Sequence, residues 1–120
     1  VFLLLDTEGV GRAPELPNAE KLATSNNIEI VYSCPAFEYW LLCHFASASR
    51  ANFKNCDAVI TALNKKWHTV CKTDYNKADQ DVFTRLAHLL NTACVQALTI
   101  DLHHIQTTGN PIRTNPSTQA

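Results

Sequence analysis

The chain has no long apolar run. Its longest, VFLLL at the start and YWLL later, fall far short of the roughly 20 residues that a membrane-spanning helix requires. No membrane association is therefore expected. A signal peptide is not readable either, because VFLLL has no basic flank before it and an acidic segment follows it. Cysteine is present five times, an odd count, and no two cysteines form a CxxC pair. That pattern argues for reduced thiols in a cytoplasmic protein and against a disulfide framework. Positive charge is not in excess: ten basic and eleven acidic side chains give a net charge of −1. Lys65-Lys66 is the only adjacent basic pair. This segment alone thus lacks the basic footprint of sequence-independent nucleic-acid binding, and a partner subunit would have to supply that charge. There is no internal repeat and no low-complexity tract.

What is present is globular. Apolar residues make up 46% of the 120 positions and charged residues 18%, enough for one core and too short a chain for two ordinary domains. Residues 1–120 read as a single domain. Val1 opens it without a methionine, directly in a strand, and NPSTQA closes it as a polar loop. The expectation is a domain truncated at both ends.

VFLLL has the length of a strand, and its continuous apolar character is that of a central parallel strand buried on both faces. DTEGVGRAPELP follows as a polar turn. NAEKLATS, Asn18 to Ser25, is a short helix candidate with Asn18 as N-cap and Pro17 just outside it. NNIEIVYS alternates Ile28, Ile30 and Tyr32 against Glu29 and Val31, which predicts a second strand. A right-handed crossover between parallel strands accounts for this order.

SCPAFEYWLLCHF, Ser33 to Phe45, follows as a helix. Ser33 or Cys34 can cap it and Pro35 fits its first turn. DAVITALNKKW, Asp57 to Trp67, predicts an amphipathic helix, and TDYNKAD a loop. From Asp79 to about Ile105, apolar residues recur at spacings of three and four. That is the strongest helical signal in the chain, long enough for two helices but with no Pro or Gly to mark a break. The architecture expected is α/β, with parallel central strands flanked by helices and a helix-rich C-terminal half.

Among residues capable of chemistry, Asp6 and Glu8 stand out. An acid closing a central strand, with another two positions on, puts two carboxylates at the strand mouth, where open α/β sheets bind ligands. Two such oxygens suit a hard divalent cation, since Mg²⁺ takes one or two carboxylates and keeps several waters. Gly9 and Gly11 would let the loop fold back. As a bare pattern, D-x-E-G is equally that of a solvated turn.

Glu38 also has two readings. In the first turn of a helix a carboxylate gains about 0.3–1 kcal/mol from the macrodipole, with no function needed. Alternatively it points back to the sheet edge that bears Asp6. His44, six residues on, lies about 120° around the helix from Glu38 and falls on the Phe37/Leu41 face. It reads as a satisfied core histidine. Zinc is not expected, because four ligands with a tight cysteine pair are missing. Lys77, in DYNKAD, could meet a phosphate as a point charge. From the residues alone it reads as an exposed loop lysine, with Asp79 as the cap of the following helix. His103 and His104 suit the negative end of a helix dipole. Cys34, Cys56, Cys71 and Cys94 read as structural.

In order along the chain, these features are an apolar strand ending in Asp6-x-Glu8, then S-x-P-x-F-E-x-W-L-L-x-H-F, then Tyr75-x-Lys77 before a long helix, and finally Asn115 to Thr118. Together they resemble the RloB-like proteins, which accompany an ATPase partner in bacterial restriction and abortive-infection loci. The resemblance spans almost the whole chain, and its specific part is the block containing Ser33, Pro35, Phe37, Glu38, Trp40, Leu41, Leu42, His44 and Phe45.

The resemblance implies a Toprim-like fold, whose acidic site binds Mg²⁺ and supports phosphodiester chemistry. Asp6 and Glu8 would correspond to its D-x-D pair, with glutamate in the second place, and the fold's first glutamate would lie upstream of Val1. The function expected is that of an RloB-like subunit of an antiphage, restriction-associated system. It would act with an ATPase and on nucleic acid as a Mg²⁺- or Mn²⁺-dependent nuclease. Asp6 and Glu8 would hold the metal, with Glu38 and Lys77 completing the site. The alternative is a non-catalytic interaction or regulatory module for the ATPase.

Overall fold

The computed structural model describes residues 1–7, 15–45, 52–108 and 116–118. Glu8, Gly9 and Gly11 lie outside the described residues, as does Asn115.

Strand β1 (Phe2–Asp6) pairs in parallel with β2 (Glu29–Cys34), in a register that runs from Phe2 opposite Glu29 to Asp6 opposite Ser33. Backbone bonds extend the pairing at both ends, from Glu29 N–H to the Val1 carbonyl and from Thr7 N–H to the Ser33 carbonyl. Parallel pairing needs a crossover. Helix α1 (Leu16–Ser25) lies on that connection and buries Leu16 and Ala23. Tyr32 of β2 donates its hydroxyl to Glu20 at 2.6 Å, tying helix to strand. Pro17 falls inside the first turn of α1 and not ahead of it, and Asn18 does not cap. A proline costs little there, where its missing N–H has no partner to lose.

A short strand, β3 (Ser117–Thr118), runs antiparallel to the end of β2, with Ser33 opposite Thr118, and completes the order β1-β2-β3. The Ser33 and Thr118 hydroxyls hydrogen-bond each other at 2.8 Å. Ser33 and Cys34 are therefore strand residues and cap no helix, and Pro35 precedes the helix. Among the described residues β1 is an edge strand and not a central one, because only β2 pairs with it. Its side chains are exposed accordingly, Phe2 to 71%.

The core forms around helix α2 (Glu38–Cys43), which is buried on every side. It packs against α3 (Cys56–Cys71) and α5 (Leu90–Thr108). Helix α3 presents Val59, Leu63 and Trp67 inward at a spacing of four. Asn55 starts it, its side chain accepting the Ala58 N–H at 3.0 Å. The long helical signal resolves into α4 (Val82–Leu86), one 3₁₀ turn (Ala87–Leu89) and α5. The buried stripe Val82, Leu86, Ala93, Ala97, Ile100 stays in phase across that turn, with half-buried Leu89 between its two parts, so periodicity reads it as one element.

The N-cap of α4 is Asp81. Asp79 instead accepts the Asp81 N–H at 2.9 Å and pairs with Arg85 at 3.0 Å. His104, buried in α5, donates Nε2–H to the Pro116 carbonyl at 2.6 Å, so it anchors the β3 segment and does more than oppose a dipole. His44 is a core histidine as read: it is buried, and its Nδ1–H bonds the Trp40 carbonyl at 3.0 Å.

Candidate functional site

Parallel pairing puts the C-terminal ends of β1 and β2 on the same edge of the sheet. Asp6 closes β1 there. From the end of β2 the chain turns through Pro35 and Ala36 and enters α2 at Glu38. The junction is fixed by a bond between the two segments: Phe37 N–H donates to Asp6 Oδ1 at 2.8 Å. That contact holds the start of α2 against the mouth of β1, so Asp6 and Glu38 share one rim. They line an open cleft of about 460 Å³ together with Leu4, Leu5, Phe37, Tyr75 and Lys77.

Glu38 points inward and is 3% exposed. A buried carboxylate is costly unless it is paired and hydrogen-bonded, and here it is both. Lys77 Nζ lies 2.8 Å from Oε1, and the Cys56 thiol donates to Oε2 at 3.4 Å. Tyr75 lines the same cleft, where the charge of Glu38 acts on its hydroxyl.

The loop that carries Tyr75 and Lys77 is pinned to α3. Tyr75 N–H donates to Asn64 Oδ1 at 2.8 Å, and the Tyr75 ring meets Trp67 edge-on at 5.5 Å between centroids. Asn76 then closes a tight turn beneath Lys77: its side chain accepts the Ala78 N–H at 2.9 Å and its carbonyl accepts the Asp79 N–H at 3.0 Å.

The electrostatics follow from this packing. Lys77 is held protonated, its pKa raised by the hydrogen bond and charge of Glu38. Burial pushes the Cys56 thiol up to about 11, and the charges of Glu38 and Asp6 add to the effect. Burial, with the charge of Glu38 behind it, likewise raises Tyr75 to about 12. Near neutral pH the thiol and the phenol therefore keep their protons, and the thiol acts as a donor.

Of the residues singled out from sequence, the structure brings Asp6, Glu38 and Lys77 together. Glu8 lies outside the described residues. Lys77 is an exposed loop lysine, as its local pattern suggests, and it is also paired with Glu38. Cys56, read as merely structural, is a partner of Glu38. No local pattern signals that role, since the contact joins the first turn of α3 to the start of α2.

Among the described residues no three of His, Cys, Asp and Glu converge as a preformed metal site. Magnesium asks for less, one or two carboxylates with waters and phosphate oxygens making up the rest. Asp6 meets that requirement as a hard oxygen donor lining an open cleft. Glu38 does not, because it is buried with an ammonium on one oxygen and a thiol on the other.

No helix among the described residues is long and apolar enough to cross a membrane. No curated protein and no solved structure gives a significant match to the chain. A family model described as RloB-like protein matches residues 1–120, the whole of the sequence. With a match of that extent over a mixed α/β chain, the protein belongs to the RloB-like family.

Proposed function

We propose that this chain is the RloB-like subunit of a bacterial antiphage, restriction-associated system. In this reading it works in the cytoplasm with an ATPase partner, as a metal-dependent nuclease on a Toprim-like fold. The observation that supports the reading is the shared cleft at the strand mouth, where the Asp6 carboxylate and the Lys77 ammonium face the same open space. Metal-assisted phosphodiester hydrolysis can use that combination of a hard anionic ligand and a cation for the phosphate.

Asp6, with Glu8, would hold Mg²⁺ or Mn²⁺. When bound, the ion would supply an activated water and offset the charge that develops on the phosphate. The chain's own residues do the rest. Lys77 meets a phosphate oxygen as a point charge, and Leu4, Leu5 and Phe37 form the apolar side of the cleft. Cleavage of a labelled oligonucleotide in Mg²⁺ or Mn²⁺, together with the rise in melting temperature that the metal produces by mass action, tests this. Asp6→Asn is expected to lose both responses. A variant that kept both would remove the nuclease reading.

One observation favours a second reading. Both acids have a structural use: Asp6 receives the Phe37 amide and Glu38 is paired within the core. A non-catalytic module that binds or regulates the ATPase would use them in that way alone. It predicts unchanged melting in Mg²⁺ and Mn²⁺ for the wild-type protein, with binding to the ATPase intact in Asp6→Asn.

A further inference from the structure

Glu38 receives polar groups from two separate parts of the chain. Lys77 comes from the loop before α4, and Cys56 comes from the first turn of α3. Its Oε1 is bound by an ammonium and its Oε2 by a thiol. A divalent ion at this carboxylate would have to displace Lys77 and then tolerate it nearby. Lys77 differs in this respect. Its side chain is 61% exposed, and of the three donors an ammonium carries only one is required by Glu38. A second lies 3.9 Å from the Cys56 sulfur, a weak contact. The backbone beneath it is fixed by Asn64 and by the Asn76 turn.

We propose that Glu38 is a positioning residue: it holds the Lys77 ammonium at the rim of the cleft as a preset contact for a phosphate anion, and does not itself ligate metal. The inference rests on the cleft reading given above but needs no metal. Its physical content is entropic. A free lysine must be ordered when an anion binds, whereas one already held by a buried carboxylate loses less freedom in doing so. The charge of Glu38 and its hold on Lys77 act with opposite signs. Glu38 is an anion beside an anion site, so by charge alone its removal should tighten anion binding. If Glu38 positions Lys77, removal should weaken it.

The test is calorimetric titration of inorganic pyrophosphate into the purified full chain, in EDTA and near neutral pH. Lys77→Met is expected to weaken binding about tenfold, the scale of one charge-assisted hydrogen bond. Glu38→Gln is expected to weaken it about threefold or more, despite removing a negative charge. Glu38→Asp keeps the charge but draws the carboxylate back by one methylene. It should weaken binding as well, and serves where the glutamine variant does not fold. Thermal melting of each variant checks folding.

Wild-type protein without pyrophosphate binding, a Lys77→Met variant that binds normally, or a Glu38→Gln variant that binds as tightly as wild type or tighter would each overturn the proposal. A parallel titration of Mn²⁺ followed by electron paramagnetic resonance separates it from the nuclease reading. Glu38→Gln should bind Mn²⁺ as wild type does, while Asp6→Asn should not. Loss of Mn²⁺ in Glu38→Gln would make Glu38 a ligand and overturn the proposal. Absence of Mn²⁺ binding in the wild type would overturn the nuclease reading and leave the pyrophosphate result to decide this one.

Discussion

The ammonium of Lys77 lies 2.8 Å from Glu38 Oε1, and the two ends of this ion pair are solvated very differently: the lysine side chain is 61% exposed and the glutamate side chain 4%. The pair therefore belongs neither to the surface bridges that contribute almost nothing nor to the fully buried ones that carry a large desolvation cost. It compensates a charge inside the fold with one that water can still reach.

Removing the lysine should expose that dependence. Lys77→Met leaves a buried carboxylate facing Cys56 and Tyr75 but no cation. Breaking a fully buried pair costs about 3–5 kcal/mol, and solvent around Lys77 lowers the expected loss to about 1–2 kcal/mol. Urea denaturation measures it. A midpoint unchanged from wild type would show that the pair does not contribute to the folded state.

The pH dependence of stability has an expected sign on each side of neutrality. Burial pushes Cys43 up to about 12, and Cys56 and Tyr75 reach about 11 and about 12. Lys77 is raised as well, by Glu38. For all four the folded pKa exceeds the unfolded one. Their stabilisation is thus complete below the ordinary thiol, phenol and ammonium ranges and is lost as pH rises through the folded values.

His44 has the opposite shift, since burial lowers its pKa. Its contribution is present above the ordinary imidazole range and is lost as pH falls through the folded value. Stability should decline above about pH 9 and below about pH 6.5, each group adding a slope of up to about 1.4 kcal/mol per pH unit. Denaturation midpoints across pH check this. Cys43→Ala should flatten the alkaline limb, and His44→Gln the acidic one. A limb with the same slope in its variant would rule out that assignment.

Two leucines that look alike in the sequence should behave differently. Leu63 of α3 is fully buried, whereas Leu98 of α5 is 63% exposed. Leu63→Ala should cost about 2–5 kcal/mol through lost burial and the cavity it leaves. Leu98→Ala should change the stability of the isolated chain by no more than about 0.5 kcal/mol. Thermal or urea unfolding of the pair decides it, and equal losses would contradict the orientation of α5.

Much of the site was legible from local pattern. VFLLL followed by Asp6 indicates an acid at the end of a strand, and a second strand leading into FEYWLL places Glu38 at the start of a helix. Parallel pairing then forces both onto one edge, a consequence of topology and not of any one residue. The Ser33 and Pro35 reading failed because β3 draws the end of β2 into the sheet, and that partner lies at the far end of the chain. The 3₁₀ turn at Ala87–Leu89 was hidden because it leaves the buried stripe in phase. The exposure of β1 was hidden because an apolar run looks the same whether its second edge is paired or open.

The sequence by itself determined the order of elements from β1 to α3, the parallel pair, the inward stripe of α3, and an acid at the strand mouth. Each depends on turn chemistry or on periodicity, which act over a few residues. Only the tertiary structure decided that Lys77 and Cys56 both close on Glu38, and that Asp6 receives the amide of Phe37. Those contacts join parts of the chain distant in sequence. They form because a carboxylate enclosed by a core must find donors, wherever the folded chain supplies them.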